Sequence, residues 1–200
     1  MALSLRSGLT LFFARHGETQ ANVAGRLQGQ SRDAPLTAKG TAQAKAVGRI
    51  LRAQAEGSFE WVSSPLPRAR RTTEIAREAC GLPPEGFRTD PRIIELNLGA
   101  WEGLTHAQAR ERDPAHYAAR ETDKWNVAVP GGENYAQVAA RAQSWIGDLS
   151  GDTIAVTHGG FTRVLRGLFG GLAWQAISDL DEPQGVVFRV RGSTVERLDA

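Results

Sequence analysis

Several protein classes are excluded by what the chain lacks. It has one cysteine, Cys80, among 200 residues, which rules out an internal disulfide and any metal site built from several thiolates, and makes a reducing compartment the expectation. No apolar stretch is long enough to span a membrane, and the N-terminal run LTLFFA is too short for the core of a signal peptide. A cytoplasmic location with no membrane partner is therefore expected. There is no basic tail. Lys plus Arg reach 24 against 22 Asp plus Glu, a net charge of +2, and the pI near 9.0 comes mainly from arginines spread along the chain. That balance argues against nucleic acid as a partner and for a small anionic ligand. Repeats, low-complexity tracts and linker-like stretches are also missing. The hydrophobic fraction of 41% and charged fraction of 23% are those of a folded globular chain, and its length fits a single domain over 1–200.

What the chain does contain is an alternation of strands and helices. Residues 9–14 form a continuous apolar run with two aromatics, the pattern of a strand buried on both faces, which predicts a parallel, helix-covered sheet. A polar loop over 25–35 follows. Thr37 then caps a helix on which Ala42, Ala46 and Ile50 repeat at helical spacing, flanked by Val47 and Leu51, and which runs to about Ala55. FEWVSS is a second strand, and Ser64 with Pro65 reads as the N-cap and first residue of a helix ending near Gly81. A short strand near Phe87, a turn-rich stretch to Gly103 and helical pieces between Thr105 and Glu121 come next. An amphipathic helix from Tyr135 to Leu149, the buried strand TIAVT at 153–157 and a helix opened by HGGFTRVLRGLFG complete the alternation. GVVFRV and TVERL, separated by Gly192 and Ser193, form a terminal hairpin on the sheet edge. The order predicts an α/β fold: a three-layer α/β/α sandwich with a mostly parallel central sheet and an antiparallel edge. Residues 104–132 form an insertion over it.

Ligands of open α/β sheets gather at the carboxyl ends of the strands. His16 and His158 both stand there. Each directly follows an apolar strand and precedes glycine, Gly17 in one case and Gly159 with Gly160 in the other, which is expected to let the backbone approach a ligand closely. Arg15 adjoins His16, and Arg68 lies in the first turn of the helix after the second strand, although periodicity does not separate it from Arg70 and Arg71. One histidine after a strand is more often structural than catalytic, so the weight falls on the pair together with Arg15. Two imidazoles and two guanidinium groups suit the tetrahedral oxygens of phosphate. The same fixed positive charge argues against a metal at the histidines, with or without Glu18 and Glu95 as further ligands.

Seven segments, ARHGETQAN, GRLQG, APLTAKGTAQA, SSPLPRARRT, ELNLGAWEG, PGGENYAQVAAR and VTHGG, occur in an order and at spacings that resemble the histidine phosphatase superfamily, also called phosphoglycerate-mutase-like. The resemblance covers about residues 9–170. It implies that His16 is the nucleophile that forms a phosphohistidine. Arg15, Arg68 and His158 would then hold the phosphoryl oxygens, with Asn22 and Gly159 in the same phosphate-binding set. The motif selects Arg68 over Arg70 and Arg71. Glu95 matches the family acid that protonates the leaving oxygen and later takes a proton from water, and a nearby phosphate should raise its pKa. Gln28 either lines the pocket or braces its loop. For His16 to attack, one ring nitrogen must be neutral, with the other N–H given to a backbone carbonyl. Glu18, Glu102, Glu133 and Thr157 are expected to be structural, Trp101 to be core, and His106 and His116 to face solvent.

The function implied is a phosphatase, free of metal and cofactor, that hydrolyses a small phosphorylated metabolite through phosphohistidine. The alternatives are a cofactor-dependent phosphoglycerate mutase, for which Arg110, Arg112, Arg120 and Lys124 are candidate carboxylate binders, and a non-catalytic phospholigand-binding protein. By resemblance, such mutases carry a longer insertion after Glu95 and a C-terminal tail. Here the stretch from Glu95 to Gly131 is short and the chain ends soon after its last strand, which favours hydrolysis. The insertion, with Tyr117, Trp125 and Val127 among its charges, is expected to set the substrate. The terminal hairpin offers an edge at which a second copy would form a homodimer.

Overall fold

A computed structural model of the chain describes residues 2–31 and 34–199. Strand β1 (Thr10–Arg15) leads to a short helix α1 (Gln20–Val23), then α2 (Ala38–Gln54), β2 (Glu60–Ser63) and α3 (Pro67–Cys80). After β3 (Arg88–Thr89) come α4 (His106–Arg112), α5 (Pro114–Thr122), α6 (Tyr135–Asp148) and β4 (Thr153–Thr157). Helices α7 (Gly159–Phe169) and α8 (Trp174–Asp179) precede the hairpin β5 (Val187–Arg191) and β6 (Thr194–Leu198). The strands make one sheet in the order β3-β2-β4-β1-β5-β6. Pairings β2–β3, β2–β4 and β1–β4 are parallel; β1–β5 and β5–β6 are antiparallel.

The apolar run of β1 is continuous because both its faces are covered. Leu11 and Phe13 point into a core shared with Trp145 of α6 and with Phe161 and Leu165 of α7. Phe12 and Ala14 point the other way, toward Val47 and Leu51 of α2 and Ala76 of α3. The period of two along the strand thus divides one apolar stretch between two helix layers, giving the mixed α/β sandwich with a mostly parallel sheet and an antiparallel edge. Each fully buried aromatic or branched aliphatic side chain contributes about 1.5–3 kcal/mol.

Thr37 caps α2, its hydroxyl accepting from the Gly40 amide at 2.9 Å, and α3 ends at Gly81 in the left-handed conformation, φ 85°. The start of α3 differs from the expectation. Ser64 and Pro65 do not open it; Leu66 is the N-cap, without a side-chain bond, and Pro67 is the first helical residue. Ser64 is committed elsewhere, to His158. Helices α1 and α8, of four and six residues, are too short to leave a periodicity in the sequence. Of the polar loop over 25–35, residues 32 and 33 lie outside the described residues. Among the described residues no helix is long and apolar enough to cross a membrane.

Candidate active site

The strand order brings the two histidines together. Strands β1 and β4 are parallel neighbours with Arg15 opposite Thr157, so the next residue of each, His16 and His158, leaves the sheet at the same edge. The His16 amide extends the ladder to the Thr157 carbonyl at 2.9 Å, and the Ser64 amide does the same from β2 to Val156 at 2.9 Å. Three adjacent strand ends therefore deliver Ser64, His158 and His16 side by side. The two imidazoles meet edge to face, with centroids 5.1 Å apart.

His16 is held in one tautomer. Its Nδ1 lies 2.8 Å from the carbonyl of Gly17, which only accepts, so Nδ1 carries the proton and Nε2 keeps its lone pair. Nε2 in turn accepts from Nε of Arg68 at 3.3 Å. Arg68 is 2% exposed, and its Nη2 donates to the Gly29 carbonyl at 2.7 Å, which fixes the fork beside His16. Arg70 and Arg71 of the same helix are exposed. Burial, then the charges of Arg15 and Arg68, hold the His16 pKa well below 6.5.

His158 is fully buried, its ring edge to face against that of His16. Its Nε2 lies 2.7 Å from Ser64 Oγ, which also accepts from the Leu66 amide at 3.3 Å. In the tautomer with Nδ1 protonated, the hydroxyl donates to Nε2. That Nδ1, and likewise Nε of Arg15, is buried without a hydrogen-bond partner among the described residues. Burial, followed by the charge of Arg68, also lowers the His158 pKa well below 6.5. Two unanswered donors beside a neutral imidazole suit an oxyanion.

Glu95 lines the same cavity, of about 300 Å³. Its carboxylate accepts from the amides of Leu96 at 2.8 Å and Gly160 at 3.3 Å. Its pKa is raised first by burial and next by the like charge of Glu182, so the shift exists without any phosphate. The loop carrying Glu95 is stapled by Arg141, which donates to the carbonyls of Arg92, Ile94 and Glu95 and pairs with Glu133 at 3.1 Å. Glu133 is therefore structural. So are Glu18, which pairs with Lys39 and accepts from Thr37, and Glu102, which accepts from the Gln30 amide at 2.7 Å. Thr157 donates to the Ile93 carbonyl at 2.6 Å, and Trp101 is 2% exposed.

Asn22 and Gln28 both line the cavity. Gln28 also braces its loop, its Oε1 accepting from Thr19 at 3.1 Å, so the two readings of this residue coexist. The glycines also make room for the protein's own groups. A Cβ at Gly17 would strike the Gly40 carbonyl, and one at Gly159 would strike the Glu182 carboxylate. At Gly160 it would come within 2.8 Å of Glu95. Their bareness admits the protein's own groups, and Gly160, not Gly159, lines the cavity. His116 is half-buried instead of solvent-facing, with Nε2 2.7 Å from the Ala128 carbonyl and its ring edge-on to Trp101. His106 is exposed but lines the cavity mouth.

Two site residues left no sequence signal. Glu182 pairs with Arg163 at 3.1 Å and with Arg15 at 3.5 Å, while its own carbonyl accepts from Arg15 Nη1 at 2.6 Å. Gln184 donates from Nε2 to the His16 carbonyl at 3.0 Å and to Asn22 Oδ1 at 3.3 Å. Both lie in an irregular stretch between α8 and β5, where no periodicity or glycine pattern marks a function.

The sequence signature of the histidine phosphatase superfamily (branch 1) matches residues 11–193. A Salmonella paratyphi C protein named "Probable phosphoglycerate mutase GpmB" is 38% identical over 136 residues, 68% of this chain and 60% of that protein. The chain thus spans less than two thirds of that relative's length. Among solved structures, the α-ribazole phosphatase of Shigella flexneri superposes with a TM-score of 0.81 at 25% identity, over 96% of each chain. A mycobacterial glucosyl-3-phosphoglycerate phosphatase in complex with VO3 gives 0.79 at 30% identity, over 96% of this chain and 98% of that one. With its signature running from β1 through β5 to the final hairpin turn, this chain belongs to the histidine phosphatase superfamily, branch 1.

Proposed function

We propose that the protein is a phosphomonoester hydrolase working through a phosphohistidine at His16. The observation that carries this reading is the state of His16: neutral, fixed by the Gly17 carbonyl as the Nδ1–H tautomer, with the Nε2 lone pair beside Arg68 in the cavity. Nε2 attacks phosphorus as the bond from phosphorus to the ester oxygen breaks, and Glu95 gives its proton to that leaving oxygen. Water then attacks the phosphohistidine, Glu95 takes its proton, and the P–N bond breaks to release phosphate and free His16. Arg15, Arg68 and the Nδ1–H of His158 face the charge that spreads over the three equatorial oxygens. Binding of VO3, a phosphate-like oxyanion, by the mycobacterial neighbour supports a pocket of this kind.

The mutase reading draws on the name of the Salmonella relative and on the cations Arg120 and Lys124 at the cavity. Labelled phosphate separates the two. A phosphoester carrying labelled phosphorus should mark His16 with an acid-labile phosphoryl group that decays to free phosphate. Label passing between the hydroxyls of glycerate, with little free phosphate, would replace the hydrolase reading by the mutase one.

Ser64 is a further test of the same arrangement. Serine to alanine removes the partner of His158 Nε2 and frees the ring to take the other tautomer. Turnover should fall by about tenfold, the worth of one hydrogen bond to a transition-state group, and mostly in kcat, because the donor it orients matters most when charge spreads. An S64A enzyme with wild-type kcat and a raised KM would show that His158 needs no such support.

A further inference from the structure

Glu182 stands in the irregular stretch between α8 and β5, and that stretch is tied to the site at three points. Arg163 of α7 holds the Leu180 carbonyl, which accepts from its Nε at 2.6 Å, and pairs with the Glu182 carboxylate at 3.1 Å. Gln184 donates to the His16 carbonyl and to Asn22. Between these points Glu182 meets Arg15 twice, with its backbone carbonyl 2.6 Å and its carboxylate 3.5 Å from Nη1. Both contacts fall on the same nitrogen, so one side of the Arg15 fork is committed to the protein. Nε, which with Nη2 forms the other edge, is buried and has no hydrogen-bond partner among the described residues. Gly159 leaves room for this arrangement: a Cβ there would strike the Glu182 carboxylate and crowd Arg15 Nε at 3.2 Å. Arg163 is fixed as well, its Nη1 donating to the Tyr135 hydroxyl at 2.8 Å.

We propose that Glu182 is a positioning residue for phosphoryl transfer: by holding Nη1 of Arg15 it leaves the edge made by Nε and Nη2 as the one that meets the phosphoryl oxygens. This inference rests on the phosphoryl-transfer reading above. An acid in a phosphate pocket repels the dianion, so its use lies in geometry and not in affinity. An untethered guanidinium would turn to suit the bound ground state, whereas catalysis needs donors fixed where charge develops. Glu182 has a second consequence at Glu95. The charged and titratable groups around Glu95 are Arg15, Arg68 of α3, Tyr135 and Arg141 of α6, Arg163 of α7, and Glu182. Glu182 is the one acid among them, and its charge favours the protonated Glu95 that the leaving oxygen requires.

Glu182→Gln keeps the shape of the side chain and removes its charge. On glycerol 3-phosphate, kcat of the variant should fall by about tenfold. The KI of inorganic phosphate should stay level or drop, because a repelling carboxylate has left the pocket. The alkaline limb of the rate should move to lower pH, since Glu95 loses its like-charged neighbour. KI and the position of the limb do not depend on how much of the variant is folded. An unchanged kcat would overturn the proposal. So would a joint loss of kcat and phosphate affinity with the limb unmoved, which is the pattern of a merely structural brace. A spectroscopic readout stands apart from turnover. In nitrogen-15 NMR with vanadate, the Arg15 Nε–H signal, identified by its loss in Arg15→Lys, should shift in the wild type and shift less in Glu182→Gln. Equal shifts in the two proteins, or none in the wild type, would overturn the positioning role. If the wild type releases no phosphate and forms no phosphohistidine, it is the hydrolase reading that fails, and the NMR comparison still decides what Glu182 does to Arg15.

Discussion

His16→Ala should abolish the labelled phosphoenzyme and reduce phosphate release by about 10,000-fold or more, the scale expected when a covalent nucleophile is removed. The size of the effect follows from the geometry. Alanine leaves Arg15, Arg68 and His158 in place, so the phosphoryl group still finds its donors, and weak binding of phosphate should persist. What disappears is the one lone pair directed into the cavity from a tautomer locked by the Gly17 carbonyl. No neighbouring group replaces it, because His158 is fully buried and its Nε2 is occupied by Ser64. Single-turnover measurements with labelled substrate, followed by digestion to locate the label, check this. Retained turnover, or label on another residue, would remove His16 from the centre of the chemistry.

The histidines were legible before the structure because two independent signals coincided. An apolar strand ended at each, and parallel pairing of such strands is the ordinary way to bury both faces of a sheet. The same physics made the three-layer fold legible, since the run at 9–14 carries no charged residue. Ser64 was misread because serine followed by proline is a good local cap signal. The long-range partner that overrides the cap, His158, lies 94 residues away in sequence. Glu182 and Gln184 were invisible for a related reason. Their roles come from a loop folded back over the carboxyl edge, and no local pattern encodes where an irregular segment returns. The burial of Arg120 is likewise a property of packing. In sequence it is one of several charges on a short helix, indistinguishable from the exposed Arg110 and Arg112.

The second large effect is expected at Glu95, and it is also a statement about pH. At their ordinary values, 6.5 for histidine and 4.5 for glutamate, the nucleophile and the acid would oppose each other: between those values the imidazole is protonated and the carboxyl is not. The site shifts both groups against this order. Burial with two arginine charges lowers His16, and burial with the like charge of Glu182 raises Glu95. Both shifts favour the pairing the chemistry needs, a neutral imidazole beside a protonated acid. The rate of alkyl phosphate hydrolysis should accordingly hold up well below pH 6.5 and fall as pH rises through the elevated Glu95 value. Glu95→Gln keeps the shape and the better of the two amide contacts, that from Leu96 at 2.8 Å, and turns its amide toward the longer one at Gly160. It can neither give nor take the proton. Alkyl phosphates should lose about 100- to 10,000-fold, and the alkaline fall in rate should vanish with the group that titrates. p-Nitrophenyl phosphate separates the two duties, because its phenolate leaves without a proton. The variant should still form phosphohistidine from it rapidly and then stall, giving a burst of nitrophenol equal to the enzyme present followed by slow turnover. Should Glu95→Gln show full turnover on alkyl phosphates, or keep the alkaline limb intact, the proton would have to come from elsewhere. Glu182, the other carboxyl beside Arg15, would then be the group to replace next.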